Sequence, residues 1–312
     1  MDIADNATRG APIAQPRRRG HARGSAPVLP AGVALGALGV LGFSFSLPAT
    51  KLAVADLDPW FVAFGRAAAA AVLAVLVLTA RRARRPSAAQ WRSLALVAVG
   101  VVVGFPLCTS LALEHRPAGQ SVVVVALLPA ATAVMATLLA GERPGRRFWA
   151  ASGAGLVTAL VFAGTRGAGG LAPADGLLLL AIVVCALGYA EGGKLARDLG
   201  GTHVICWALV LALPVSLTVT GASVAAGGAS GGGPAAWSCF AYLALISMFL
   251  AFFAWYAGLA RGGVARVGQV QLAQPVLTLG WAALVLGEHV GGAEAAAALA
   301  ILGCVVATQR AR

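Results

Sequence analysis

Apolar stretches of about twenty residues recur from end to end of this chain, and they decide what it can fold into. Of its 312 residues 59% are hydrophobic and 11% are charged, and the mean hydropathy is +0.85. A soluble domain carries about 25% charged residues. Stretches like these meet lipid, where every backbone N–H and C=O needs a partner within the protein, so only helices or closed barrels can span. The stretches are too long for barrel strands and do not alternate polar with apolar residues. The fold class that follows is an all-α membrane protein.

A window of about 19–20 apolar residues places ten spans. They fall at 31–50, 59–80, 93–113, 118–140 and 147–165, then at 174–194, 203–221, 236–258, 264–286 and 291–308. Residues 1–30 read as a disordered basic tail with Arg9, Arg17, Arg18, Arg19 and Arg23. A Gly-rich loop at 164–175 divides the spans five and five, and a second, uncharged and flexible, covers 227–233.

The net charge is +12. In a soluble chain it would suggest nucleic acid. Here the basic residues sit in short clusters between spans, as orientation signals do, and no aromatic-interleaved patch accompanies them. With the N-terminus inside, 19 Lys and Arg fall in inside connections and three (Lys51, Arg116 and Arg166) outside, with Arg66 within a span. That asymmetry places both termini in the cytosol.

Several classes of chemistry find no support. The five cysteines form no CxxC and read as small core residues. The four histidines lie in the tail or loops, which argues against an intramembrane metal centre. No Walker motif is present. Gly228-Ala229-Ser230-Gly231 imitates a serine nucleophile turn but lies in a glycine-rich loop without the strand–turn–helix such a serine requires. The expectation is a non-enzyme without cofactor.

The chain is also duplicated. Pro129 precedes Gly141-Glu142 as Pro275 precedes Gly287-Glu288, at an offset of 146 residues. Leu113 and Leu259 share that offset, and Lys51 matches Lys194 at 143. Proline, glutamate and lysine are rare here, so their shared spacing marks a repeat. A five-span unit is odd, so the second copy enters from the opposite side. The connection after Glu142 is rich in arginine and the one after Glu288 is not, which fits inversion. Inverted repeats are a transporter architecture.

These stretches resemble the EamA family of the drug/metabolite transporter superfamily. The resemblance rests on Lys51…Pro59…Arg66, on Ala112…Gly119 leading to Pro129…Gly141-Glu142, and on Gly258-Leu259…Pro275…Gly287-Glu288. It covers about residues 31–308, as repeats at 31–165 and 174–308. It implies ten-helix secondary carriers for metabolites, amino acids or drugs, many of them exporters. The chain departs from the family in span 7, where no arginine answers Arg66.

Candidate site residues follow from polarity within spans. Arg66, inside span 2, either lines a pathway or holds a substrate carboxylate, or else snorkels outward or braces a carbonyl. Glu191 and Lys194 share a helical face, as a proton-coupling acid or an interfacial pair. Gln269, Gln271 and Gln274 lie early in span 9, and Gln271 and Gln274 face one side, expected to be a central cavity. Tyr189, Trp255, Tyr256 and Trp281 offer aromatic walls or simple packing. Pro129 and Pro275 fall mid-span, where each frees a carbonyl one turn earlier, near Val125 and Gln271. Gly141, Glu142, Gly287 and Glu288 read as structural turns. Partners expected are the bilayer and a small solute, with a proton as coupling ion. The competing reading is a non-transporting scaffold or sensor.

Overall fold

The computed structural model describes residues 30–115, 121, 124–164, 173–286 and 292–310. The basic tail up to residue 29, most of the 164–175 loop and the Gly287-Glu288 turn lie outside the described residues. Among the described residues there are helices and no strand.

In chain order the rods are α1 (Ala31–Ala53), α2 (Phe61–Ala80), α3 (Ala88–His115), α4 (Leu128–Leu139), α5 (Arg146–Gly164), α6 (Pro173–Leu199), α7 (Gly201–Ala225), α8 (Pro234–Gly262), α9 (264–286) and α10 (Gly292–Arg310). Six of them, α1, α2, α3, α6, α7 and α8, are long and apolar enough to cross a bilayer. Regular helix in α4 covers 12 residues, shorter than the 118–140 span expected from hydropathy.

Local chemistry sets the ends. Ser87 opens α3 with a reciprocal cap: its hydroxyl accepts from the Gln90 N–H and the Gln90 side chain accepts from the Ser87 N–H. Lys51 closes the far end of α3, donating to the Leu113 carbonyl at 2.7 Å. α8 and α9 meet at Gly263, whose φ of +86° lies in the region that favours glycine. The 227–233 loop, expected to be flexible, is tied down. Asp56 accepts from the Gly233 N–H, Asp58 accepts from the Ser223 hydroxyl, and the Asp58 N–H donates to the Gly228 carbonyl.

The two halves interleave. α1 packs along α8, and α3 along α6; α2 packs on α7 and α5 on α10; α4 rests on α6, and α9 on α1. Exchanging the halves turns α1–α8 into α3–α6 and α4–α6 into α9–α1, and returns α2–α7 and α5–α10 to themselves. The α1–α8 contact is a glycine seam. A Cβ on Gly258 would lie 2.7 Å from the Gly36 nitrogen, and one on Gly32 would lie 2.6 Å from the Gly262 nitrogen. Small residues four apart let two backbones touch. Gly258→Val is therefore expected to destabilise the fold by about 1–3 kcal/mol, read as a lower thermal midpoint of the purified protein. An unchanged midpoint would mean the seam can part freely.

Candidate functional site

Five departures from regular helix surround one space. α1 is broken at Phe45; α2, α3 and α8 widen to i→i+5 bonding at Phe61–Gly65, Ala98–Gly104 and Leu243–Leu250; α9 tightens at Gln269–Ala273. Such bulges re-aim side chains and are frequent at functional sites.

The space is narrow, and residues of seven rods line it. α1 supplies Phe43, Ser46, Leu47 and Thr50, α2 supplies Arg66, and α3 supplies Val101, Phe105, Pro106 and Thr109. Leu128 of α4, Cys185 and Tyr189 of α6, Ser247, Met248 and Phe252 of α8, and Gln271 and Gln274 of α9 complete it. Each break or bulge contributes a wall residue or immediately precedes one.

The polar groups on these walls differ in how well they are satisfied. The Ser46 and Ser247 hydroxyls bond each other at 2.7 Å across the α1–α8 boundary. The Thr109 hydroxyl donates back to the Phe105 carbonyl. Arg66 is 3% exposed, yet it makes no hydrogen bond or ion pair with any described residue, and its Nε is buried without a partner. The Gln271 Oε1 is likewise buried and unpartnered. Among the described residues, no Asp or Glu lines the cavity.

A smaller pocket of about 290 Å³ adjoins the first where α4 meets α9, and Pro129 and Pro275 both line it. Neither proline kinks a continuous helix. Each is the second residue of a regular helix that restarts after an irregular turn, at Leu128 and at Gln274. There the missing N–H costs little. The carbonyl expected to be free at Gln271 instead accepts from the Gln274 N–H.

Gln269 turns away from the cavity. Its amide donates to the Pro129 carbonyl at 3.1 Å and accepts from the Ser152 hydroxyl at 2.8 Å, joining α9 to α4 and α5. Gln269→Leu leaves two buried groups unpaired and should cost about 1–3 kcal/mol, measurable as a fall in thermal midpoint.

Other candidates lie beside the cavity. Trp255 and Tyr256 are fully buried between helices. Trp255 packs on Phe43 and Tyr189, and the Tyr256 hydroxyl donates to the Gly188 carbonyl. Glu191 is buried off the cavity walls, with Oε1 accepting from Lys194 Nζ at 2.8 Å and Oε2 without a partner. Trp281 donates to the Ser44 hydroxyl on the α1 flank. The hydroxyls of Ser46, Thr50, Thr109 and Ser247 were not anticipated. Single Ser and Thr residues within apolar runs carry a weak signal, because their hydroxyls so often return to their own helix.

Glu142 does more than shape a turn. Gly141 takes a φ of +66°, which swings the next residue off the end of α4. The Glu142 carboxylate then accepts from the Val264 N–H at 2.7 Å, the Ala265 N–H at 2.8 Å and Arg197 Nη2 at 3.0 Å. One side chain thus caps the start of α9 and ties it to the ends of α4 and α6. The cavity walls come from the stretches of α1, α6 and α8 remote from this clamp.

Comparison with known proteins agrees with this architecture. The uncharacterized transporter YdeK of Bacillus subtilis (strain 168) is 48% identical over 275 residues, which is 88% of this chain and 96% of that protein. A solved crystal structure shares the fold with a TM-score of 0.72 at 21% identity, covering 89% of this chain and 98% of that one. The EamA-like transporter family matches twice, over residues 30–164 and 172–309, so that nearly the whole chain is two copies of its repeat. On that double match and the YdeK likeness, the chain belongs to the EamA-like transporter family.

Proposed function

We propose that the protein is a secondary transporter that exports small organic metabolites by alternating access of two inverted repeats, 31–165 and 174–308. The observation that carries this is the cavity. Both halves build it, it gathers the breaks in five helices, and it holds polar groups without partners. A scaffold or sensor needs no such walls, and the motifs give no nucleophile or metal constellation for an enzyme.

On this reading all ten rods cross the inner membrane and both termini are cytosolic. The pairing of α1 with α8 and of α3 with α6 is what a two-fold relation between the repeats produces, and with five spanning rods to a repeat that relation is an inversion. The Glu142 clamp closes the cytosolic face. A proton is the proposed coupling ion, with Glu191 as its carrier near that face.

Untargeted metabolite profiling of cells with and without the protein, inside and outside, tests the reading directly. Solutes should accumulate inside when it is missing. Identical profiles would sink it. In proteoliposomes an imposed pH gradient should drive transport by the wild type and not by Glu191→Gln; indifference to both removes the proton.

A further inference from the structure

We infer that Arg66 is the anion-binding centre of the cavity and that the solute it takes is a small organic anion with an apolar body. The inference deepens the transporter reading and rests on it.

Four other basic side chains are held by partners within the chain. Lys194 is paired with Glu191 and Arg197 with Glu142. Lys51 donates to the Leu113 carbonyl, and Arg266 bonds Gln309. Arg66 is more deeply buried than Lys194 or Arg197, and no described residue partners it. A buried charge without partner or hydration is costly in a membrane, and arginine holds its charge. Arg66 does not snorkel, since it is 3% exposed, and it does not brace the backbone, since it donates to no described carbonyl. It lines the cavity, and among the described residues no carboxylate lines it with Arg66. The planar guanidinium suits a carboxylate or phosphate.

The surroundings describe the rest of the solute. Phe43, Phe105, Met248 and Phe252 supply apolar wall, and the unpartnered Gln271 Oε1 is ready to accept from a donor on the same molecule. α7 carries no arginine at all, so the repeat does not double the site. One anion centre lies off the axis that relates the halves.

Two arms test this. In nanodiscs of zwitterionic lipid, benzoate and hexanoate should raise the thermal midpoint of the wild-type protein. Benzamide and hexanamide should not, and Arg66→Gln should respond to none of the four. Arg66→Lys keeps the charge without the fork and should bind benzoate at least fivefold more weakly, which supplies a second folded variant. Equal response to acids and amides, no response to either, or an unimpaired Arg66→Gln overturns the site. In cells, the solutes whose distribution depends on the protein should be anions at neutral pH, and Arg66→Gln should lower their export at least tenfold. If they are neutral or cationic and Arg66→Gln exports them normally, the anion site falls and the transporter reading stands. If benzoate binds and no solute depends on the protein, the transporter reading falls and the site stands.

Discussion

Arg66→Met is expected to make the solute-free protein more stable and to abolish transport. Most core substitutions destabilise, so the sign is the informative part. Met fills nearly the same volume with a flexible apolar chain, and it removes a cation that has no partner among the described residues. Replacing buried ionic groups by apolar ones of similar size is often stabilising by about 1–4 kcal/mol, and a charge within a span carries a cost of about 2.5–3.5 kcal/mol on insertion scales. A gain of about 2 kcal/mol should raise the thermal midpoint by roughly 3 °C. Thermal unfolding in nanodiscs without added organic anion measures it. A fall in midpoint would mean that Arg66 stabilises the resting protein and is structural. A rise, with transport lost, would place Arg66 among residues kept for function at the expense of stability.

The architecture was largely legible before any coordinates. Hydropathy located the six helices long and apolar enough to cross a bilayer, because lipid leaves so few ways to satisfy a backbone. The 146-residue offset joined Pro129 to Pro275, and the structure restarts regular helix at that same offset, at Leu128 and Gln274. The α1–α8 seam lies where Gly32 and Gly36 stand four apart, a small-residue spacing that lets helices close-pack. The irregular segments were not legible. Nothing in Phe61–Gly65 or Leu243–Leu250 differs from its apolar flanks, and a wide turn is stabilised by what packs around it.

For the site, charge and amide groups were the readable part. Arg66, Gln271 and Gln274 line the cavity because lipid would exact a cost for each of them. Tyr189 lines it as well, while Trp255 and Tyr256 sink into the core between α1, α6 and α8. Sequence cannot separate these fates, since a large amphipathic ring suits both places. The prolines misled in a different way. A mid-span proline reads as a kink with a freed carbonyl, whereas a turn placed just before it removes the conflict. Glu142 was read as a local turn, because its partners Val264, Ala265 and Arg197 are far away in sequence.

Those distant partners make Glu142→Ala the second large effect expected. The carboxylate holds the first two N–H groups of α9 and the Arg197 guanidinium at once. Hydrogen bonds to a charged group contribute about 1.5–3 kcal/mol each. Arg197 adds little, because its side chain is 44% exposed and water screens the pair. Losing both N–H bonds should therefore weaken the clamp by about 3 kcal/mol, a factor of roughly a hundred. Hydrogen exchange at Val264 and Ala265 should accelerate about a hundredfold in Glu142→Ala, and less than about tenfold in Arg197→Ala. Should α9 open and close as a gate, the loss favours the conformer with the Glu142 face open, and net transport drops because that face no longer closes. Acceleration of the amides without a change in transport would make Glu142 a helix cap and nothing more. Glu288, its counterpart in the repeat, then supplies the sharper comparison. Under inversion Glu288→Ala should bias the opposite face, so the two variants should shift accessibility in opposite directions, which a pair of independent helix caps would not do.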